Sequence, residues 1–428
     1  MIKAMIQIIT WISSVIGIFY LNKWIYALIG SKYTRKFPEA EHYHKYAVLI
    51  AARNEEAVIA DLIESIQCQD YPQELVDIFV VADNCTDQTA RVATQSGAIC
   101  YERSNDKNRS KGYALQFLVE RIRRDFGIES YDGYFVFDAD NLLKKDYIRR
   151  MNEAFDAGEK IVTSYRNTKN FSTNWVSASY GIHWLRTCRM EHRGRGMLKL
   201  ACRVQGTGYL FSSELIKEGW HHTCLTEDRA FCADAVARGY RIAYQDAAQF
   251  YDEQPDDLKT ALRQRLRWAK GNLIVTKLSG GKLLREAIWG KGLKKRILCA
   301  DMLTIVYPRS MMLLIKKLIL YLLQIYIILS SMKCQSIGTA LWNLTAIGLI
   351  ASVHTYLQRA VTAGYVLFME RKRIEKLSPW QNLWYCLTFP AFDTIGKIFC
   401  LVALFTRVEW KPIPHKVSLR REEIQAGK

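Results

Sequence analysis

The sequence contains no C-x-x-C pair and no cysteine–histidine group at zinc-binding spacing. This excludes a thioredoxin-like redox motif and a zinc finger. Its 11 cysteines are scattered: Cys68, Cys85, Cys100, Cys188, Cys202, Cys224 and Cys232 lie mid-chain, the rest in or near apolar runs. They read as reduced, buried thiols of a cytosolic domain. His221-His222 lies near Cys224 at a spacing that suits no ligand set, and reads as loop. Acidic residues are in short supply, 42 Asp and Glu against 60 Lys and Arg, for a formal charge of +18. A basic balance points to nucleic acid, an anionic membrane surface or phosphorylated substrates. With no recognition-helix pattern and no repeated basic–aromatic platform, nucleic acid is excluded as partner. No regulatory domain is expected, since only residues 407–428 come after the last apolar run.

Long apolar runs are present at both ends. The first covers Ala4 to about Leu21, with Asn22, Lys23, Trp24 and Tyr26 just beyond it. It is long enough to span a bilayer. The basic residues Lys32, Arg35 and Lys36 place the next segment in the cytosol and argue against a cleaved signal peptide. Further runs cover Met302–Ser331, Ile337–Phe368 and Trp384–Phe405, with a basic tail from Arg407 to Lys428. If that tail is cytosolic, the C-terminal spans are even in number, two or four.

Between the ends the chain reads as soluble α/β. Apolar runs at Tyr46–Ala51, Val76–Ala82, Ala98–Tyr101 and Gly133–Phe137 predict strands. Helical periodicity over Ala57–Gln69, Gln88–Ser96 and Gly112–Asp125 separates them. Alternating strands and helices imply a mainly parallel sheet with helices on both faces. Ligands of such sheets bind at the carboxyl ends of the strands. From Asp256 to about Leu298 the chain is basic and amphipathic, with Leu258, Leu262, Leu266, Ile274 and Leu278 as one face. This suits a helix at the membrane surface, or a solvated surface helix.

Polar residues come directly after three of these strands. Arg53, Asn54, Glu55 and Glu56 follow the first, and Asp83-Asn84-Cys85-Thr86-Asp87 the second. Acids there can accept hydrogen bonds from a base or a ribose, although the same residues make good turns and caps. Asp138-Ala139-Asp140 ends the fourth strand, where alternation puts both carboxylates on one side. Such a pair suits Mg²⁺ or Mn²⁺ bridging two phosphates. Thr226-Glu227-Asp228 precedes a helix: Thr226 is a candidate N-cap, and the functional alternative makes Asp228 a general base with Glu227 beside it. Gln264 and Arg267 share a helix face, Arg267 suited to a diphosphate and Trp268 to stacking on a sugar.

The ordered set Asp83, Asp138-x-Asp140, Thr226-Glu227-Asp228 and Gln264-x-x-Arg267-Trp268 resembles the family 2 glycosyltransferases, in the branch of cellulose, chitin, hyaluronan and poly-N-acetylglucosamine synthases. The resemblance covers about Tyr46 to Gly271. It implies a GT-A fold and a UDP-sugar donor. Arg53, Glu55 and Asp83 would serve the nucleoside side, with Lys111 reaching phosphate before the helix that Gly112 opens. Asp138 and Asp140 would take the diphosphate and the metal. Asp228 would deprotonate the acceptor, while Gln264 and Arg267 line the diphosphate and Gly206-Thr207-Gly208 and Trp268 the acceptor. The Asp-Asn-Cys-Thr-Asp stretch departs from relatives, which often carry a second acid and a Gly-Ser pair.

The expected organisation is a transmembrane helix over 1–30, a cytosolic GT-A domain over 31–255, interface helices over 256–300, a transmembrane region over 301–406 and a basic cytosolic tail over 407–428. The expected activity is inverting sugar transfer to a polysaccharide or glycan at the plasma membrane, with partner subunits for export. The alternatives are a single transfer to a lipid acceptor and a non-catalytic nucleotide-sugar sensor.

Overall fold

The structure is a computed structural model that describes residues 21–307 and 337–408, with a few isolated positions besides. The apolar runs expected at 4–21 and over much of 302–331, and most of the basic tail, lie outside the described residues.

The first half of the sheet matches the apolar runs closely. In chain order come helix α1 (Asn22–Lys32), strand β1 (Tyr46–Ala52), helix α2 (Ile59–Gln67), strand β2 (Val76–Asp83), helix α3 (Thr89–Gln95), strand β3 (Ile99–Arg103), helix α4 (Lys111–Asp125) and strand β4 (Gly133–Asp138). Next are β5 (Leu142–Leu143), α5 (Tyr147–Asp156), β6 (Ile161–Thr168), α6 (Trp175–Arg186), a π-helical turn (Thr187–His192), α7 (Arg193–Met197), β7 (Tyr209–Ser212), α8 (Glu227–Ala237) and β8 (Ile242–Asp252). The C-terminal part holds α9 (Leu258–Trp289), α10 (Leu293–Val306), α11 (Ile337–Glu370) and α12 (Pro379–Phe405).

The eight strands form one sheet in the order β3-β2-β1-β4-β7-β6-β8-β5. Strands β3, β2, β1 and β4 are parallel, as the alternation with helices requires. Beyond β4 the sheet is mixed: β7 runs antiparallel to β4 and β6, β6 pairs parallel with β8, and β5 pairs antiparallel with β8. The expectation of a mainly parallel sheet is corrected to a mixed one.

Residue alternation assigns the two faces. Ala47, Leu49, Phe79 and Val81 pack on one side with Leu115, Leu118 and Ile122 of α4. Val48, Ile50 and Val80 pack on the other with Leu62, Ile63 and Ile66 of α2 and Met151 of α5. Burying each such side chain contributes about 1.5–3 kcal/mol. The packing fixes the sheet rigidly, so loops at its carboxyl edge start from defined points.

Helix α9 buries a different face from the one its leucines suggested. Its buried residues are Ala261, Gly271, Val275, Gly280 and Leu283, while Leu278 is 65% exposed. The reason is close approach to α8: a Cβ on Gly271 would lie 2.3 Å from Cγ2 of Thr226. Small residues therefore set the contact. Among the described residues one helix, α12, is long and apolar enough to cross a membrane.

Candidate active site

Three parallel neighbours, β2, β1 and β4, deliver their carboxyl ends to one place. The loop after β1 carries Arg53 and Glu55, β2 ends in Asp83 and β4 in Asp138. All line a single cleft, together with Lys111, Asp140, Gly206, Glu227, Asp228, Gln264, Arg267 and Trp268.

The first two loops brace each other. Asn54 and Asn84 adopt φ of 58° and 52°, a left-handed conformation that asparagine tolerates. Asn54 Oδ1 accepts from the Thr86 amide at 2.8 Å, and the Glu55 amide donates to Thr89 Oγ1 at 2.8 Å. The Asn54 amide meets Cys85 Sγ at 3.5 Å. The Asn-Cys-Thr stretch is thus the internal tie of this corner. Asp83 is buried and ion-paired with Arg103 of β3, and Asn84 Nδ2 donates to it at 3.0 Å.

Strand β4 ends at Asp138, so a turn rather than strand alternation carries Asp140 into the cleft. The Asp138 amide donates to Thr207 Oγ1 at 2.9 Å, and its carboxylate pairs with Lys111 Nζ. Lys111 also donates to the Gly206 carbonyl at 2.8 Å, joining α4, β4 and the 206–208 loop. Asp140 Oδ2 accepts from the Glu253 amide at 2.9 Å. Of Gly206-Thr207-Gly208 only Gly206 lines the cleft, which corrects the expected acceptor role of the other two. Thr207 is buried, its hydroxyl holding the end of β4. Gly208 has φ +64° and lies so close to Phe250 that a Cβ would come within 2.2 Å of the ring.

The residues present fit a divalent cation of the Mg²⁺ or Mn²⁺ type. Asp138 and Asp140 face the same cleft as Asp252, whose Oδ1 is buried without a hydrogen-bond partner. Among the described residues no three carboxylate, imidazole or thiolate groups make a ready cage. That suits Mg²⁺, which takes one or two carboxylates and completes its shell from phosphate and water.

Asp228 and Glu227 open α8. Thr226 makes no side-chain cap bond, contrary to the N-cap expectation, and its hydroxyl is buried without a partner where Gly271 presses on it. Asp228 is half-buried, and a Cβ on Gly206 would be 3.9 Å from its Oδ2. Burial, then the Asp228 carboxylate, pushes the Glu227 carboxyl up to about 7 from 4.5. The folded state therefore holds a proton on Glu227 that the unfolded chain releases near 4.5. This contribution to stability is complete below about 4.5 and lost as pH rises through about 7. Relative to the parent, Glu227→Gln is expected to gain roughly 2–3 kcal/mol of stability between pH 5 and pH 8. Denaturant unfolding in detergent at the two pH values checks this.

On α9, Gln264 Oε1 is buried without a partner and Arg267 reaches the Leu225 carbonyl at 3.4 Å. Trp268 is braced edge-on by Tyr180 and Trp184, with ring centroids 5.9 and 5.7 Å apart. Arg265 points the other way, its guanidinium 3.9 Å over the Phe392 ring and bonded to the Phe392 carbonyl at 2.9 Å. The Gln264–Trp268 segment thus rests on α12.

Sequence reasoning missed four cleft residues: Arg166, Trp184, Arg203 and Asp252. Arg166 Nε donates to Asp252 Oδ2 at 2.9 Å, and its guanidinium lies 3.8 Å from the Trp184 ring centroid. The available signal was a charged residue inside a wholly buried strand, Ile161–Thr168.

Residues 44–271, more than half of the chain, match the family profile described as Glycosyltransferase like family 2. The probable glycosyltransferase YdaM of Bacillus subtilis is 25% identical over 253 residues, 54% of this chain and 56% of that protein. The poly-β-1,6-N-acetyl-D-glucosamine synthase of Staphylococcus aureus is 26% identical over 234 residues, 52% and 53% of the two chains. The chain spans about half the length of the curated relatives it matches. Among solved structures, the mannosyltransferase PcManGT of Pyrobaculum calidifontis, in complex with GDP-Man and Mn²⁺, aligns with a TM-score of 0.58 at 16% identity, over 87% of this chain and 98% of that one. That likeness shows a shared GT-A fold. On the profile match and the cleft it encloses, the chain belongs to glycosyltransferase family 2.

Proposed function

We propose that the protein is a membrane-bound, inverting glycosyltransferase that moves a sugar from a nucleotide sugar, first among them a UDP-sugar, to a glycan or lipid acceptor. The observation that carries this reading is the meeting in one cleft of the nucleoside-side loops, Asp138 and Asp140, Asp228, and the Gln264–Trp268 segment. Arg53, Glu55 and Asp83 bind the nucleoside. Lys111, Gln264 and Arg267 take the diphosphate, where charge grows as it departs. A divalent cation held by Asp138 and Asp140 would neutralise part of that charge. Asp228 accepts the proton of the acceptor hydroxyl. The oxygen bonds to the anomeric carbon from the face opposite the diphosphate, the old C–O bond breaks, and its electron pair leaves on the nucleotide. An α-linked donor then gives a β-linked product. Gly206 and Trp268 line the acceptor side.

The same reading places residues 1–30 and 301–406 in the plasma membrane, 31–255 and 407–428 in the cytosol and 256–300 at the interface. Two features support it. Helix α12 has the length and apolarity of a span. Leu284, Ile288, Trp289, Leu293 and Ile297 form an exposed apolar edge around the α9–α10 elbow, Trp289 being 75% exposed. A long product would need partner subunits for export.

The test is UDP release from a panel of UDP-sugars by the full chain in nanodiscs, with Mn²⁺, Mg²⁺ or EDTA. Metal-dependent release from one donor is expected. No release from any nucleotide sugar would overturn the reading.

A further inference from the structure

Arg203 lines the cleft half-buried, yet among the described residues it makes no hydrogen bond or ion pair. A guanidinium taken out of water without a partner is costly unless a ligand supplies one. Its surroundings place it at the end of the cleft bounded by α6 and α8. The neighbouring Val204 amide bonds Cys232 Sγ of α8 at 3.3 Å, and Gln205 Nε2 meets His192 Nδ1 at 3.2 Å. Its charge is felt at His183, Glu191, His192 and Cys232, none of them on the nucleoside loops.

Little there neutralises it. Burial holds His183 and His192 below the usual imidazole range, so both are neutral at pH 7. Glu191 is shared with Lys23, Arg195 and Arg186. Arg267, across the cleft, also has no carboxylate partner among the described residues, and the donor diphosphate answers that charge. One cation remains for a second anion. Between Arg203 and the departing nucleotide stand Asp228 and the Trp184–Trp268 pair, a base and a stacking surface. That is the order an acceptor sugar with an attached anionic group would need.

We propose that the acceptor is a phosphate-bearing glycan, its phosphate on Arg203, its sugar against Trp268 and its hydroxyl at Asp228. The proposal rests on the glycosyltransferase reading and deepens it. A guanidinium matches phosphate oxygens bidentately. The phosphate is a recognition handle and takes no part in bond making. It belongs either to a polyprenyl-linked sugar or to a soluble sugar phosphate.

The experiment uses the full chain in nanodiscs with the donor that supports UDP release. Three acceptors are compared, each in glucose and N-acetylglucosamine forms: a polyprenyl diphosphate-linked sugar, the soluble sugar 1-phosphate and the neutral methyl β-glycoside. The phosphorylated acceptors are expected to show a KM at least about tenfold below the neutral one, as a charge-assisted bond of this kind allows. Arg203→Gln should raise their KM about tenfold with little change in kcat, and Arg203→Lys should recover part of the loss. UDP affinity reports whether each variant is folded. Preference for the polyprenyl acceptor identifies a lipid carrier, and preference for the soluble one a soluble phosphate; either supports the proposal. Equal KM for neutral and phosphorylated acceptors, or a preference that survives Arg203→Gln in a protein that binds UDP, overturns it. So does UDP release with transfer to none of the three. Absence of UDP release altogether would instead strike the parent reading.

Discussion

Asp228→Asn is expected to lower sugar transfer about 10²–10⁴-fold while leaving UDP affinity near that of the parent. The substitution preserves shape and removes only the capacity to take a proton. Asp228 sits in the first turn of α8, half-buried and close to Gly206, on the acceptor side of the cleft. Its neighbour Glu227 is the other candidate base, because burial brings its carboxyl to about 7. The two variants separate the roles. If Asp228 is the base, Asp228→Asn abolishes turnover at every pH, whereas Glu227→Gln changes chiefly stability and its pH dependence. Steady-state transfer assays at saturating donor, with UDP titration alongside, decide the matter. Near-normal turnover in Asp228→Asn would remove it from the chemistry.

Asp140→Asn is expected to match the effect of EDTA on the parent, a loss of transfer of roughly 10³-fold, in line with the several kcal/mol a cation supplies to a departing diphosphate. Asp140 is buried and anchored by the Glu253 amide at 2.9 Å, so its carboxylate is aimed rather than swinging. Asp138 is held through Lys111 and Thr207. Burial, and then the charges of Asp140 and Asp138, raise the Asp252 carboxyl to about 6 against the pull of Arg166. A cation would relieve that crowding of negative charge. Manganese titration monitored by electron paramagnetic resonance checks the binding step apart from turnover. Tight Mn²⁺ binding by Asp140→Asn would contradict the assignment.

The parallel half of the sheet was legible because its strands are short apolar runs bounded by turns, and each run stops at the residue that enters the cleft. Asp83 and Asp138 were readable for that reason. The second half was not. Strands β6 and β8 carry Arg166, Gln245, Asp246 and Gln249 inside, so their pattern does not read as core, although most of these residues are buried. They are tolerated through long-range pairing: Arg166 with Asp252, and Arg193 and Arg373 with Asp246. No local spacing announces partners 86 or 127 residues apart. The buried side of α9 was misread for a related reason. Glycines at 271 and 280 mark the closest contacts, and a hydrophobicity pattern gives glycine little weight.

The most direct test of the central claim is a structure of the full chain with UDP and Mn²⁺. The uridine is expected beside Arg53, Glu55 and Asp83, with the diphosphate and the metal between Asp138, Asp140 and Arg267, and Asp228 open to the acceptor end. A nucleotide bound outside this cleft, or bound within it away from Asp138 and Asp140, would contradict the account.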